Sequence, residues 1–357
     1  MLRIVSAPAS TCKACVNKIF RFSLYPAAVA FALLVSSLAL WAWVANRASG
    51  DHPGGATARV TIALPTQISA GAIFVAQNEK YFERRGIVAT MQPFALGKDA
   101  LSSVLKGNAD LAVLADTPFM LAVMKGEKIA AVTTVFSSRT AIAIVARKDR
   151  GIARAEDLAG KRVGTVAGTN AQYFLDALLL SSGIDKASLQ ISEVRAGAMA
   201  EALQADRVDA VTAWNPDLAR LEAEGHGRYA LIYGMDAFVY RFVLVGKQDY
   251  ISSHAEEVKN VLRAIDDAVQ FIQTNEAAAK IIIGHAISLE PALLSRSFDP
   301  KDYFLTLDQA LLLSLSEQSR WAVDAGFVKS KTTPNYLEFV RYQALESVLP
   351  SAVKLIR

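Results

Sequence analysis

The sequence is poor in cysteine and histidine, with two cysteines and four histidines among 357 residues. Two cysteines exclude a scaffold held together by several disulfides. Four scattered histidines argue against a metal centre built from His and Cys ligands. Because 52% of the residues are hydrophobic and 20% are charged, the chain is neither disordered nor collagen-like. Its length predicts two domains, or three.

The sequence also lacks a basic surface outside its N-terminal region. Residues 1–59 carry a net charge of +5, whereas the remainder of the chain carries −1. Nucleic-acid binding depends on clustered positive charge. We therefore expect no nucleic-acid partner.

A long uncharged run, Phe22–Asn46, follows four basic residues. Its apolar part is long enough to cross a bilayer core as a helix, and the preceding positive charge predicts a cytoplasmic N-terminus. We predict a leader over 1–21, a transmembrane anchor or uncleaved signal over 22–46 and a linker over 47–58, with the rest of the chain at the periplasmic face of the inner membrane. The alternative is a cleaved signal peptide, whose apolar region is normally about 7–15 residues. Cys12 and Cys15 are interpreted as incidental thiols of the leader.

From residue 59 onward, short β-like runs alternate with helical runs, which predicts two parallel α/β sheets covered by helices on both faces. The predicted strands are Arg59–Leu64, Ile87–Phe94, Leu111–Leu114, Ile129–Phe136, Thr140–Ala146, Arg162–Val166, Leu189–Val194, Ala210–Ala213, Tyr229–Tyr233 and Phe238–Val245. After about residue 250 the pattern is helical, over Ala255–Thr274, Ala310–Ala325 and Tyr336–Val348.

Two segments of the α/β region are similar to each other. Leu105–Pro118 and Leu203–Pro216 share five of fourteen residues without gaps, although Asp110 and Asp209 fall one place out of register. This similarity predicts two lobes built alike, and chance similarity between two βα units is the alternative.

Ligands of open α/β sheets bind beyond the carboxyl ends of the strands, where helix N-termini offer free N–H groups to anions. Four strand-to-helix junctions therefore provide the candidate ligand residues, although any single junction is more often structural. These residues are Gln67, Ser69, Asp116, Thr117, Gly168, Thr169, Asn170, Trp214 and Asn215.

The hydroxyl and amide residues at these junctions have the side chains preferred at helix N-caps. Ser69, Thr117, Thr169 and Asn215 are accordingly predicted as caps, and the spacing from Thr169 to Gln172 predicts a capping box. Gly168 would let a ligand approach the backbone. Neither a Walker A sequence nor G-x-G-x-x-G is present, so no nucleotide cofactor is expected.

Four stretches resemble a known family when taken together and in this order. They are Gly71–Gly86, Gly107–Pro118, Glu156–Asn170 and Val208–Pro216. They resemble the periplasmic substrate-binding proteins of ABC importers, in the branch for nitrate, taurine and aliphatic sulfonates with its thiamine-pyrimidine-like relatives.

The resemblance implies a type II periplasmic-binding-protein fold, with a ligand enclosed between two lobes. Lobe 1 would comprise 59–142 and 246–357, and lobe 2 would comprise 143–245, with Thr140–Ala146 and Phe238–Val245 as hinge strands. The junction residues other than Asn215 map to the cleft of the family, and the resemblance adds Ser138 and Arg139.

The expected function is that of an extracytoplasmic solute-binding protein that works with an ABC permease and ATPase. Asp116 argues against a purely anionic ligand and favours a pyrimidine-like or zwitterionic one. A membrane-tethered sensor is the first alternative. An enzyme of the same fold is the second, but His52, His226, His254 and His285 lie outside the four junctions, so no catalysis is expected.

Overall fold

The structure, a computed structural model, describes residues 58–234, 237–294, 298–329 and 332–356. The predicted leader and anchor, and all of the predicted linker except Ala58, lie outside the described residues. Within the described ranges, no helix combines the length and the hydrophobicity needed to cross a bilayer.

Twelve strands form two sheets in the described part of the chain. The strands are β1 (Ala58–Pro65), β2 (Ile87–Phe94), β3 (Leu111–Ala115), β4 (Ile129–Ser138), β5 (Ile142–Arg147), β6 (Arg162–Thr165), β7 (Gln190–Glu193), β8 (Ala210–Trp214), β9 (Tyr229–Ile232), β10 (Tyr240–Lys247), β11 (Tyr303–Asp308) and β12 (Val353–Lys354). One sheet has the order β12-β11-β4-β10-β3-β1-β2 and the other has the order β7-β6-β8-β5-β9. We call the parts built on them the large lobe and the small lobe.

Helices cover both sheets and follow the strands that matter for the site. They are α1 (Gly71–Asn78), α2 (Tyr81–Arg84), α3 (Gly97–Leu105), α4 (Asp116–Met124), α5 (Asn170–Ser181), α6 (Met199–Gln204), α7 (Asp217–Gly225), α8 (Gln248–Ser253), α9 (Ala255–Thr274), α10 (Glu276–Ala286), α11 (Pro291–Leu294), α12 (Gln309–Asp324) and α13 (Tyr342–Val348). The apolar residues Ile73, Val75, Ala76 and Phe82 predict one helix over Gly71–Arg84. This prediction was wrong, because Lys80 takes the left-handed conformation and separates α1 from α2.

The prediction of mostly parallel sheets needs correction, since both sheets are mixed. In the large lobe β10 runs antiparallel to β3 and to β4. In the small lobe β5 runs antiparallel to β8 and to β9. Parallel pairing is confined to β1 with its two neighbours, to β6 with its two neighbours and to β11 with β12 among the described strands.

The C-terminal region also contains a strand that the helical pattern concealed. β11 adds to the edge of β4 as an antiparallel neighbour, and β12 pairs with β11. The six residues of β11 lie between a short 3-10 helix, Pro300–Asp302, and α12. The helical patterns on both sides of this short strand account for the omission.

The chain crosses between the two sheets twice. It leaves the large sheet after Ser138 and enters the small sheet at Ile142, and it returns between Ile232 and Tyr240. The structure thus places β5 in the small sheet and β10 in the large sheet. The segment Phe238–Val245, which we had assigned to lobe 2 as a hinge strand, therefore lies mostly within the sheet of the large lobe.

The predicted internal repeat has a structural counterpart at the start of one strand in each lobe. Asp110 accepts a hydrogen bond from Thr61 N at 2.7 Å and donates its own N–H to Thr61 O at 3.0 Å. Asp209 accepts from Arg162 N at 2.9 Å and donates to Arg162 O at 2.8 Å. Asp110 and Asp209 are therefore equivalent, which makes Asp116 the counterpart of Asn215.

Candidate ligand site between the lobes

The helices that begin at the four junctions bring the two lobes together. α4 of the large lobe packs against α5 of the small lobe and also against α12. Trp321 on α12 donates its Nε1–H to Asp176 on α5 at 2.8 Å, and its ring lies edge-on to Tyr173 with centroids 5.2 Å apart. At another point Arg220 donates to the Ser288 carbonyl at 2.7 Å. The lobes are thus in contact around the candidate site.

Thr169 acts as the helix cap that the sequence predicted. Its hydroxyl accepts a hydrogen bond from Ala171 N at 3.2 Å and donates to Val166 O at 2.7 Å. The capping-box prediction was wrong in its second half, since Gln172 accepts from Gly168 N at 3.0 Å instead of from the cap residue. Gly168 has a φ of +66°, a conformation that glycine adopts without a steric penalty.

The other three predicted caps do not cap their helices in the expected way. Ser69 lies inside a short 3-10 helix, Ile68–Ala70, and Thr117 lies in the first turn of α4, where Ala115 occupies the cap position. Asn215 precedes the cap residue Pro216, but its Oδ1 accepts from Ala219 N at 3.2 Å. The hydroxyls of Ser69 and Thr117 are consequently not used by the helix backbone.

Unpaired polar atoms are concentrated at these junctions. Ser69, Asp116, Thr117, Asn170 and Asn215 are all almost fully buried. Each has one side-chain atom without a hydrogen-bond partner among the described residues: Ser69 Oγ, Asp116 Oδ1, Thr117 Oγ1, Asn170 Nδ2 and Asn215 Nδ2. A buried polar atom left unpaired destabilises a fold by about 1–3 kcal/mol. Such atoms at four junctions are typical of a site that a polar ligand completes.

A small cavity lies between the lobes, and Asn170 is the one of these five residues that lines it. Its volume is about 20 Å³, close to the space that one water molecule needs. Residues of both lobes line it: Gln67, Leu96, Gly97, Lys98, Ala115, Pro118 and Phe242 from the large lobe, and Thr169, Asn170 and Trp214 from the small lobe. The cleft is therefore nearly closed.

Tyr240 lies where polar groups of the two lobes approach each other. Its buried hydroxyl donates to Gln67 Oε1 at 3.2 Å. Burial raises the pKa of Tyr240 well above its usual value of 10, and the polar side chains of Asn170 and Ser69 lower it by less. The hydroxyl thus stays protonated and available as a donor at any physiological pH.

Asp116 is fully buried at the start of α4. Its Oδ2 accepts from Gln318 Nε2 at 2.9 Å and from Ser314 Oγ at 3.3 Å. The guanidinium of Arg241 lies 3.7 Å from the same oxygen. Burial raises the pKa of Asp116 above its usual value, whereas Arg241, the hydrogen bonds from Gln318 and Ser314, and the backbone N–H of Thr117 act in the opposite direction.

The sequence reasoning missed Ser314, Gln318 and Trp321, which reach the site from α12. Ser314 and Gln318 lie 198 and 202 positions from Asp116, which they contact, and Trp321 lies 145 positions from its partner Asp176 on α5. Ser314 and Gln318 are four residues apart, so they share one face of the helix. The available signal in the sequence was this spacing of two polar residues on a helix rich in leucine.

The structure places Ser138 and Arg139 in a different pocket from the other predicted residues. This pocket has a volume of about 460 Å³ and lies at the crossovers. Its lining residues are Ser137, Ser138, Arg139, Thr140, Val239, Arg241, Asp299 and Asp302. Burial, with a smaller contribution from Asp299, raises the pKa of Asp302 to about 6, and Ser138 partly opposes the shift by hydrogen bonding.

Two α/β lobes with mixed sheets, two crossovers and helix N-termini at a shared cleft define the two-lobed periplasmic-binding-protein fold. The sequence profile described as "NMT1/THI5 like" matches residues 67–279, more than half of the chain. The chain therefore belongs to the NMT1/THI5-like family.

Comparisons with known proteins agree with this assignment. A taurine-binding periplasmic protein of Escherichia coli K12 is 24% identical over 220 residues, which span 59% of this chain and 66% of that relative. The alkanesulfonate-binding protein SsuA of Xanthomonas axonopodis pv. citri, solved with MOPS bound, has a TM-score of 0.71 at 18% identity and covers 81% of this chain and all of its own. A desulfurization enzyme, DszB, has a TM-score of 0.64 at 14% identity, with 82% and 99% coverage. The two solved structures are similar in fold.

Proposed function

We propose that the protein is the extracytoplasmic solute-binding component of an ABC importer and that it binds a small sulfonate-type solute between its two lobes. One observation carries the proposal: at four helix starts, two in each lobe, buried polar atoms lack hydrogen-bond partners among the described residues, and three of these four starts contribute residues to a cavity that both lobes line. Three of the residues with unpaired atoms, Asn170, Asn215 and Thr117, can donate hydrogen bonds to sulfonate oxygens. The taurine-binding relative supports the same solute class.

Binding operates by closure of the lobes about the two crossovers, which lie between Ser138 and Ile142 and between Ile232 and Tyr240. An open form admits the solute, and the solute shifts the population towards the closed form because it contacts both lobes at once. The hydrogen bond from Trp321 to Asp176 and that from Arg220 to the Ser288 carbonyl form only when the lobes meet. These contacts stabilise the closed form together with the solute.

The remaining assignments follow from this function. The run 22–46 anchors the protein in the inner membrane, with the two lobes in the periplasm. The closed form docks on a permease, which an ATPase drives. The lobe boundaries predicted from the sequence, 59–142 with 246–357 and 143–245, are retained in this proposal with one change, since β10 belongs to the large sheet.

One observation favours a second candidate, an enzyme of the same fold, because DszB shares the architecture. Catalysis would need a nucleophile or base at the cavity. His226, His254 and His285 do not line it, and residues 58–357 contain no cysteine. A binding role therefore accounts better for the described site.

Binding by the full-length chain, purified in detergent, tests the proposal. Isothermal titration and thermal unfolding are measured with taurine, ethanesulfonate, nitrate and a pyrimidine. We expect at least one sulfonate to bind and to stabilise the fold, by about 2.7 kcal/mol at a hundredfold excess over its Kd. The absence of binding by every sulfonate, or turnover of one of them, would overturn the proposal.

A pair of asparagine variants locates the binding site. Asn170→Ala removes a buried amide whose Nδ2 has no partner in the described part of the chain, so we expect sulfonate affinity to fall at least about tenfold. Asn78→Ala removes an exposed amide at the end of α1 and leaves affinity unchanged. Equal effects of the two variants would place the solute elsewhere. Reconstitution with the permease and ATPase then separates transport from sensing.

A further inference from the structure

Asp176 is a carboxylate on α5 that both lobes contact through the same oxygen. Its Oδ2 accepts from Lys186 Nζ at 2.7 Å and from Trp321 Nε1 at 2.8 Å. Lys186 follows α5 in the small lobe, whereas Trp321 lies on α12 of the large lobe. The ion pair with Lys186 therefore persists when the lobes are apart, and the bond from Trp321 forms only when they meet.

Lys186 prepares Asp176 for enclosure between the lobes. The side chain of Asp176 is 10% exposed, and that of Lys186 is 47% exposed. A buried charge is costly unless it is paired. Because Lys186 already supplies the opposite charge, closure does not leave the carboxylate without a cation. The same ion pair fixes the position of Oδ2 before Trp321 arrives, which lowers the entropy cost of the new hydrogen bond.

Aromatic packing around Trp321 adds to this contact. Its ring lies edge-on to Tyr173 and tilted against Phe327, with centroids 5.2 Å apart in both pairs. Tyr173 is three residues before Asp176, so both face Trp321 from one side of α5. Edge-on aromatic pairs stabilise a contact beyond the area that they bury. Trp321 thus packs against α5 with its ring and binds it with its N–H.

α5 is also the helix whose start lines the solute cavity. Thr169 caps the helix and Asn170 begins it, and both residues line the cavity between the lobes. The contacts of Trp321 lie about one and two turns further along the same helix. Trp321, Asp176 and Lys186 are not among the described residues that line the cavity. They consequently fix α5 in the closed form without touching the solute.

We propose that Lys186, Asp176 and Trp321 form a closure latch, which stabilises the closed form by the same amount for every solute. Lys186 holds the carboxylate, and Trp321 bonds to it when the lobes meet. Trp321 is therefore a positioning residue that holds α5 over the solute and sets how long the solute stays. The residues that line the cavity set which solute binds. This inference rests on the proposed function and assigns the control of closure at the same site.

The Trp321→Phe variant of the full-length protein tests the latch. Phenylalanine retains an aromatic ring and lacks the N–H that reaches Asp176. We expect the Kd values of taurine and ethanesulfonate to rise by the same factor, at least about fivefold, so that their ratio is unchanged. The rise should appear in the dissociation rate measured by stopped-flow fluorescence, because the solute enters before the latch forms.

The Lys186→Met variant tests the other end of the latch. Lys186 is exposed and does not line the cavity. Its loss leaves Asp176 to be enclosed without a cation, so both Kd values should again rise by one factor, at least about threefold. Lys161→Met is the matched control, because Lys161 is a small-lobe lysine that donates to the Arg150 carbonyl instead. It should leave both Kd values unchanged.

Tyr336→Phe is the control for Trp321→Phe. The hydroxyl of Tyr336 bonds to Ser319 on the same helix, α12, within the large lobe, so its loss weakens the fold without changing closure. Hydrogen exchange in the absence of solute supplies a second measurement. The backbone of α5 should exchange faster in Trp321→Phe than in Tyr336→Phe.

Unchanged Kd values in Trp321→Phe or in Lys186→Met would overturn the inference, and so would unequal factors for the two sulfonates. Equal exchange of α5 in Trp321→Phe and Tyr336→Phe would overturn it as well. These results leave the proposed function intact, because the unmodified protein still binds a sulfonate. Failure of every sulfonate to bind the unmodified protein would refute the proposed function, and the exchange comparison would then decide on the latch.

Discussion

The two lobes share a scaffold and differ in the chemistry that the scaffold presents. Asp110 in the large lobe and Asp209 in the small lobe each exchange two hydrogen bonds with the backbone of the neighbouring strand. Six residues further on, the large lobe presents Asp116 and the small lobe presents Asn215, both buried. Equivalent backbone geometry therefore carries a charge on one side of the cleft and a neutral amide on the other.

The supports of the two anchoring aspartates differ as well. Asp209 also binds the Arg162 guanidinium, with Nη2 to Oδ1 at 2.7 Å, and it is 7% exposed. Asp110 is half-buried, and it accepts from the backbone of Thr61. The small lobe thus depends more on its aspartate. The same backbone contact is therefore present in both lobes, but among the described residues only in the small lobe does an ion pair with arginine add to it.

The largest effect is expected when the two equivalent positions, 116 and 215, are given the same residue type. Asn215→Asp places a second carboxylate in a buried position, where the native Asn215 Oδ1 accepts from Ala219 N. We expect a loss of about 3 kcal/mol of stability at pH 8, since an unpaired buried charge is strongly destabilising. Burial should raise the pKa of the new carboxyl, so the loss shrinks as the pH is lowered. Urea unfolding at pH 8 and pH 5 measures both effects.

Asn108→Asp is the control for this change, because Asn108 is exposed in the turn before β3. It should alter stability by less than about 0.5 kcal/mol. A stable Asn215→Asp protein with a normal sulfonate affinity would show that the amide of Asn215 is not needed and that the lobes tolerate the same charge.

A smaller effect is the difference in stability loss expected between alanine variants of Asp209 and Asp110. Asp209→Ala leaves Arg162 N without its side-chain acceptor and removes one of the two partners of the Arg162 guanidinium, which stays bonded to Asp206; we expect a loss of about 2–3 kcal/mol. Asp110→Ala removes the acceptor of Thr61 N alone and should cost about 1–2 kcal/mol. Chemical denaturation of both variants gives the comparison. Asp206→Asn is the control, because Asp206 is exposed and pairs with Arg150 and Arg162 as Asp209 does. Equal losses in the two Ala variants would contradict the asymmetry.

The last comparison between the lobes concerns the pH dependence of stability. Folding raises the pKa of Asp302 from 3.8 to about 6, so the native state holds this proton more tightly than the unfolded state. Its contribution to stability is complete below about pH 4 and is lost as the pH rises through about 6. Asp302→Asn should therefore flatten the change in unfolding free energy between pH 4.5 and pH 7.5.

The small lobe offers a counterpart to Asp302 in Asp217. Burial also raises the pKa of Asp217, but Arg220 acts in the opposite direction. Asp217→Asn should consequently flatten the pH profile less than Asp302→Asn does. An equal or larger effect of Asp217→Asn would mean that the arginine does not compensate for burial.

Local patterns predicted the strands at the centres of the two sheets well. β2 begins and ends at the predicted residues, and β1, β3 and β8 differ from their predictions by one residue at one or both ends. Their apolar runs are bounded by turn residues, so the pattern and the burial agree. β11 was missed because sheet pairing at the edge of β4, and not local sequence, defines it.

The sequence predicted only those residues of the candidate site whose position follows from the order of strands and helices along the chain. Nine of the eleven predicted residues lie at the four junctions, because the carboxyl ends of strands are set by the order of elements. Ser138 and Arg139 fall in the pocket at the crossovers instead. The partners of Asp116 on α12 could not be found from the sequence, since they depend on how a distant helix packs.

The small size of the cavity between the lobes has a kinetic consequence. Because this cavity has room for about one water molecule, a sulfonate can enter or leave only when the lobes separate, and the bonds from Trp321 to Asp176 and from Arg220 to the Ser288 carbonyl must then break. Its departure must wait until the lobes separate, so the opening rate sets an upper limit on the dissociation rate of every solute, whatever its affinity. A weakly bound and a tightly bound solute would then depend on the same opening of the lobes. They would differ in how often each binds again before the lobes close.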